Sequence, residues 1–200
     1  MTINPKAVSH SESPLLWDIH TQIDGCTRCG LCQNITHYVP GMGTEKAEIL
    51  FVGEGPGKNE DLQGLPFVGA SGKFLDVMLT SIGLSRDQIY ITNIVKCRPP
   101  ENRDPKPEEI AACDQYLEAQ ILVINPKIIV TLGRFSLAKF LPGGTISQVH
   151  GKPKRRQSDG RIIFPCYHPA VALYNGSMRE VLLKDFQALA KVLSMLKKPS

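Results

Sequence analysis

The 200-residue chain is 42% apolar and 21% charged, which fits a folded water-soluble protein and excludes a disordered one. A formal charge of +4 permits a polyanionic partner without demanding one, and no apolar run approaches the roughly 18 residues of a membrane span. MTINPKAVSHSESP at the N-terminus lacks the apolar stretch of a secretory signal, so a reducing cytoplasm is expected, where disulfides are rare and the six cysteines point to metal or redox chemistry.

Residues 1–13 read as a loose polar tail, and residues 14–200 as a single domain. Ser13-Pro14 opens a short helix with Leu15, Ile19 and Ile23 on one face, stopped by Asp24-Gly25. After the cysteine-dense CTRCGLC, four β-rich apolar runs follow: Ile49–Val52, Ile89–Val95, Ile128–Leu132 and Ile162–Phe164. One helix is expected after Ser71-Gly72, with Phe74, Leu75, Met78 and Leu79 facing inward. Another starts at Pro107, with Glu108 and Glu109 in its first turn and Ile110, Cys113, Leu117 and Ile121 on one face. A last helix runs from about Met178 to Leu196, and Asp159-Gly160 reads as a hairpin turn before the final strand. Strands alternating with helices predict a parallel sheet covered on both faces.

The unusual residues fall just beyond these strands: Glu54 after the first, Asn93 at the end of the second, Gly133-Arg134 after the third and His168 after the fourth. In open α/β sheets the ligand crevice lies at the carboxyl ends of the strands, so four segments deliver polar or glycine-rich groups to one edge.

Cys26 and Cys29 form C-x2-C, while Cys97 and Cys113 stand far away in the chain. Four such thiolates could hold [4Fe–4S] or zinc; the wide separation of the second pair leans toward iron–sulfur, but spacing does not decide the metal. Cys32 could replace Cys26 or Cys29 or simply sit nearby, and Cys166 reads as a buried small hydrophobe. GEGPGKNED after the first strand lacks both the G-K-[ST] ending of a phosphate loop and the G-x-G-x-x-G spacing of a dinucleotide site. It is either a glycine turn or a site whose Glu54, Glu60 and Asp61 suit hydrolysis at a sugar, where carboxylates orient water or stabilise a cation.

GEGPGKNEDLQGLPFVGASGKFL resembles the signature block of the family 4 uracil-DNA glycosylases, and ITNIVKCRPPENRDP, EEIAACDQYL and CYHPAVAL follow in that family's order. The resemblance runs from about Cys26 to the C-terminus. It implies a three-layer α/β/α sandwich around a central, mainly parallel four-stranded sheet. The implied activity is hydrolysis of the glycosidic bond of uracil in single- or double-stranded DNA, by a monomer carrying a [4Fe–4S] cluster. By position, Cys26, Cys29, Cys97 and Cys113 match the cluster ligands. Phe67 matches the aromatic that stacks on the flipped base, Asn93 the group that reads its edge, and His168 the donor beside uracil O2. Glu54 holds the acidic position of the motif, while Glu60 and Asn102 match further polar positions near the site. Gly55 stands at the base pocket where the best-known uracil glycosylases carry an aspartate. Two departures stand out: Ile35 replaces an arginine, and Tyr174-Asn175 follow the H-P motif where basic residues are usual.

Each assignment has a plainer counterpart: Phe67 as a core ring, Asn93 as a turn cap, His168 bonded to backbone, Ala170–Tyr174 as a surface turn rather than a DNA wedge. HGKPKRR (His150–Arg156), with Arg98 and Arg103, either holds phosphates or forms a solvated basic turn. Two other functions remain open on sequence: an iron–sulfur electron carrier or redox sensor, and a DNA-binding relative without catalysis.

Overall fold

The computed structural model describes residues 14–196; the expected tail, residues 1–13, lies outside them. Six strands form one sheet: β1 (Met42–Gly43), β2 (Ile49–Gly53), β3 (Tyr90–Asn93), β4 (Ile128–Leu132), β5 (Lys154–Arg155) and β6 (Ile162–Cys166). Their order is β1-β3-β2-β4-β6-β5, with β3, β2, β4 and β6 parallel and the two outer strands antiparallel. The four-stranded expectation is corrected to six. The additional strands are two residues each, too short to show any alternation, and Met42-Gly43 has no β-rich composition to betray it.

β2 and β4 are buried at every position, as the strands of a sheet covered on both faces must be. Their side chains nonetheless alternate between two cores. Leu50, Val52, Tyr90, Ile129 and Ile163 pack with α1 (Pro14–Asp24) and α4 (Pro107–Ile124). Ile49, Phe51, Ile91, Ile128, Val130 and Phe164 pack with α3 (Ala70–Ser81) and α8 (Met178–Leu196). The period of two therefore builds the three layers.

α3 buries the predicted face, Phe74, Leu75, Met78 and Leu79, and α8, which spans the expected residues, turns Leu182, Phe186 and Leu189 into the same core. In α1 the face differs from expectation: Leu15 is 64% exposed and Leu16 fully buried beside Ile19 and Ile23. The i, i+3, i+7 spacing of Leu16, Ile19 and Ile23 gives a tighter stripe than one starting at Leu15. The second apolar run also ends earlier than its composition suggests. The Ile94 and Val95 N–H groups turn to the carbonyls of Gly53 and Glu54 at 3.0 and 3.1 Å, which ties the exits of β2 and β3 together.

β2 leads through α2 (Lys58–Gln63) into α3 on one face, whereas β3 leads into α4 on the other. Chain exits that diverge from adjacent strands open a crevice at their carboxyl ends, the topological switch point of an open sheet. Between β4 and β6 lie α5 (Arg134–Phe140), α6 (Ile146–Val149) and β5, and α7 (Val171–Tyr174) follows β6. Among the described residues no helix is long and apolar enough to cross a membrane.

Candidate active site and cysteine pocket

A cavity of about 290 Å³ occupies that crevice. Glu54, Gly55, Glu60, Phe67, Asn93, Asn102 and His168, all singled out from the sequence, line it together. Pro56, Gly57, Ser71 and Pro99 complete the wall, together with Arg103, which the sequence offered as a phosphate contact, and Ala170, which it offered as part of a wedge.

Asn93, the last residue of β3, is 2% exposed, and its Oδ1 has no hydrogen-bond partner among the described residues. A buried amide oxygen left unpaired costs free energy, so its persistence at a cavity wall suits a ligand donor. Gly53 makes room for it: a Cβ there would lie 2.3 Å from Asn93 Oδ1 and 2.7 Å from Phe67 Cζ. The backbone of Asn93 is fixed from behind by Lys96. This buried ammonium donates to the Asn93 carbonyl at 2.9 Å, to Thr92 Oγ1 at 2.5 Å and to Gln120 Oε1 at 2.7 Å.

Phe67 is 4% exposed and holds φ at +52°, a left-handed conformation in which a bulky aromatic is an outlier. Its ring stacks on His168 with centroids 5.6 Å apart. Glu60, on α2, aims its carboxylate at the same loop, where Oε1 accepts the N–H groups of Val68 and Gly69 at 2.9 and 2.7 Å. Asp61 faces away and accepts the Thr36 N–H at 2.9 Å, so of the acidic residues in the glycine-rich segment Glu54 and Glu60 border the cavity.

His168 follows β6, where Gly133 lets it approach; a Cβ on Gly133 would stand 3.3 Å from that of His168. The Ala170 N–H donates to His168 Nδ1 at 3.2 Å, so in the neutral ring the proton sits on Nε2. Burial lowers the imidazole to a pKa of about 4, weakly opposed by the charge of Glu60. The ring is thus neutral near pH 7 and remains a hydrogen-bond donor. Glu54 responds in the opposite sense. Burial, then the negative charge of Asp104, pushes its carboxyl upward, while Arg134, paired with Asp104, pulls it down.

The loop after Cys97 turns through Glu101 and Asn102, both with positive φ. Arg98 Nε donates to Asn102 Oδ1 at 2.8 Å, and Arg103 makes a two-pronged pair with Glu109 of α4 at 2.8 and 2.6 Å.

On the α1–α4 side of the sheet, Cys26, Cys29, Cys32, Cys97 and Cys113 line a second, small cavity walled by Ile23, Leu31 and Tyr116. All are free thiols, and Cys166 lies apart from them in the α3–α8 core. Among the described residues no three His, Cys, Asp or Glu side chains close around a single ion. The donor set, soft sulfur from two distant segments around one apolar hollow, fits a larger sulfide-bridged group. Burial pushes the thiols of Cys29, Cys97 and Cys113 up, with Lys96 opposing it at Cys113. Ile35, where the resemblance leads one to expect arginine, is 7% exposed and part of the core beside this cavity.

The chain is similar to proteins of known family. The family model of the uracil DNA glycosylase superfamily matches residues 40–197. The type-4 uracil-DNA glycosylase of Sulfurisphaera tokodaii is 50% identical over 87% of this chain and 83% of its own length. That of Archaeoglobus fulgidus is 49% identical over 88% and 92%, and that of Thermotoga maritima 42% identical over 94% and 98%. With the family model spanning most of the chain and relatives this similar along nearly their whole lengths, the chain belongs to the uracil DNA glycosylase superfamily, among the type-4 uracil-DNA glycosylases.

Proposed function

We propose that the chain hydrolyses the bond between uracil and deoxyribose in DNA, and that it does so in the 290 Å³ cavity at the ends of β2 and β3. The observation that carries the assignment is the unpartnered, buried Oδ1 of Asn93. Uracil presents N3–H as donor and O4 as acceptor, and an asparagine amide complements both. The cytosine edge has the opposite polarity, and its groups would be desolvated without partners.

A base stacked in a duplex is out of reach, so the nucleotide rotates out at a cost of a few kcal/mol. Phe67 then covers one face of uracil, with Gly55 giving the base close access to the backbone. The exposed Leu173 and Tyr174 of α7 stand beside the site, where they would fill the space left in the stack. As the C1′–N1 bond breaks, its electron pair passes to uracil. Nε2–H of neutral His168 donates to O2 and stabilises the departing anion. Water adds to C1′ and loses its proton to the Glu54 carboxylate, which lines the cavity and whose basicity burial raises. Glu60 acts one step back, through the loop that carries Phe67, and Asn102 with Arg98 shapes the opposite wall.

Cys26, Cys29, Cys97 and Cys113 are proposed to hold a [4Fe–4S] cluster, with Cys32 beside it. The cluster would supply structural cross-linking between residues 26–32 and the loop that begins at Cys97, since glycosidic hydrolysis consumes no electron. The basic residues Lys152, Lys154 and Arg155 would bind phosphates, and the enzyme would act as a cytoplasmic monomer on single- or double-stranded substrate. Incubation with oligonucleotides containing one uracil, followed by alkaline cleavage at abasic sites, tests the function. Cleavage at uracil but not at thymine supports it; binding without cleavage leaves only a DNA-binding relative, and neither activity returns the chain to an iron–sulfur carrier.

A further inference from the structure

We propose that Arg86 is a positioning residue for the base-stacking ring: its guanidinium and the Glu60 carboxylate together hold Phe67 in a backbone conformation it would otherwise leave. The inference rests on the reading that Phe67 stacks on the flipped base.

Arg86 does not line the cavity and lies in the short 3-10 turn before β3. Its side chain reaches back to the loop between α2 and α3. Nη1 donates to the Pro66 carbonyl at 3.2 Å, and Nη2 donates to the carbonyls of Phe67 at 2.5 Å and Gly72 at 3.3 Å. Nε is held by Asp76 of α3 at 2.6 Å, which fixes the plane of the guanidinium. The carbonyl side of the loop thus meets a cation while its N–H side, at Val68 and Gly69, meets the Glu60 anion.

Between these two clamps sits Phe67 at φ +52°. A residue is held in such a conformation only where its surroundings over-determine it. The packing leaves no slack in the correct state: a Cβ on Gly72 would stand 1.8 Å from the Phe67 oxygen, so that carbonyl lies directly on the first turn of α3. Removal of the guanidinium deprives the Pro66 and Phe67 carbonyls of their donors, and the backbone relaxes toward negative φ, carrying the ring away from His168. Lysine cannot substitute, because a single ammonium does not present the planar fork that spans three carbonyls and a carboxylate.

The test is a double-mutant cycle read by single-turnover uracil excision. Arg86→Met and Arg86→Lys are each made alone and in a Phe67→Ala background, all assayed below their unfolding temperatures. Alone, both Arg86 variants are expected to slow excision by roughly 10- to 100-fold, the loss typical of a reacting group displaced by about an ångström. Affinity for undamaged DNA should stay unchanged, and added guanidinium ion should restore part of the rate of Arg86→Met. In the Phe67→Ala background Arg86→Met should add little, because the ring it positions is gone. Near-normal excision by Arg86→Met, or an undiminished additive loss without Phe67, would overturn the proposal. Should Arg86→Met not fold, Asp76→Ala, which removes the acceptor of Nε alone, enters the same cycle with the same criterion. Normal excision by Phe67→Ala alone would instead sink the stacking assignment, a result separable from the failure of Arg86.

Discussion

Replacing Asn93 by alanine separates what the residue does for the reaction from what it does for the fold. Among the described residues Asn93 Oδ1 is buried without a partner. Such a group costs about 1–3 kcal/mol, and the variant recovers that amount while losing packing of similar size, so its stability should change little. The reaction fares differently. Two hydrogen bonds to uracil at about 1–2 kcal/mol each give a loss of about 2–4 kcal/mol in the transition state. At about 1.4 kcal/mol per decade, excision should slow by about 30- to 700-fold. The assay is single-turnover release from a uracil oligonucleotide with enzyme in excess, run beside thermal unfolding and binding to undamaged DNA. Near-normal excision by Asn93→Ala would refute the base-reading role; a large fall in unfolding temperature would show that Oδ1 has an unrecognised partner.

Three further outcomes follow from the geometry. With the His168 pKa near 4, its ring should add no inflection near 6.5 to the pH profile of excision, and an acid-side loss above that pKa belongs to the raised Glu54 carboxyl; an inflection near 6.5 that disappears in His168→Gln would contradict a buried neutral donor. The sign for stability is the same: the unfolded chain takes up the proton first, near 6.5, so the contributions of His168 and His20, which also titrates at about 4, are complete above that pH and wane toward 4. Cys97→Ala, prepared without oxygen, should lose most iron and unfold at lower temperature while Cys166→Ala keeps its iron; stoichiometric zinc in the unaltered protein would overturn the cluster assignment. Lys152→Ala combined with Lys154→Ala should weaken binding equally on damaged and undamaged DNA and reduce the salt slope by about 1.8, and an unchanged slope would make these residues a solvated face.

The legible parts of the structure were those with long periodic signals. The four parallel strands and the helices over Phe74–Leu79, Ile110–Ile121 and Met178–Leu196 carry their period across several turns or pleats, so composition located them closely. Their order along the chain was enough to place Glu54, Asn93 and His168 at one edge, and the structure brings all three to one cavity. What escaped depends on contacts distant in sequence. Nothing in QGLPFVG marks Phe67 for positive φ, because that conformation is imposed by Glu60 and Arg86 from two other elements. Arg86 itself looks like any charged residue of a surface turn. Gly53 reads as the end of a strand until Asn93 and Phe67 are seen to share the space of its missing side chain. Leu15 and Leu16 differ in sequence by one place, and only the position of α4 decides which is covered.

The buried ammonium of Lys96 has a consequence for how the protein is assembled. Its three donors meet a hydroxyl, a carbonyl and an amide oxygen, all neutral, and burial drags its pKa down to about 8. A charge so placed is poorly compensated in a chain whose cysteines are protonated, and those thiols are themselves pushed toward the neutral form. Thiolates gathered at the neighbouring cavity would reverse both penalties at once, since Cys113 and Lys96 stabilise one another's ionised states. On the proposed cluster assignment, the lysine that anchors the Asn93 carbonyl would also serve as a counter-ion of the sulfur site. If those thiolates hold the proposed cluster, a chain starved of iron would carry its electrostatic defect directly behind Asn93, the residue proposed to read the base.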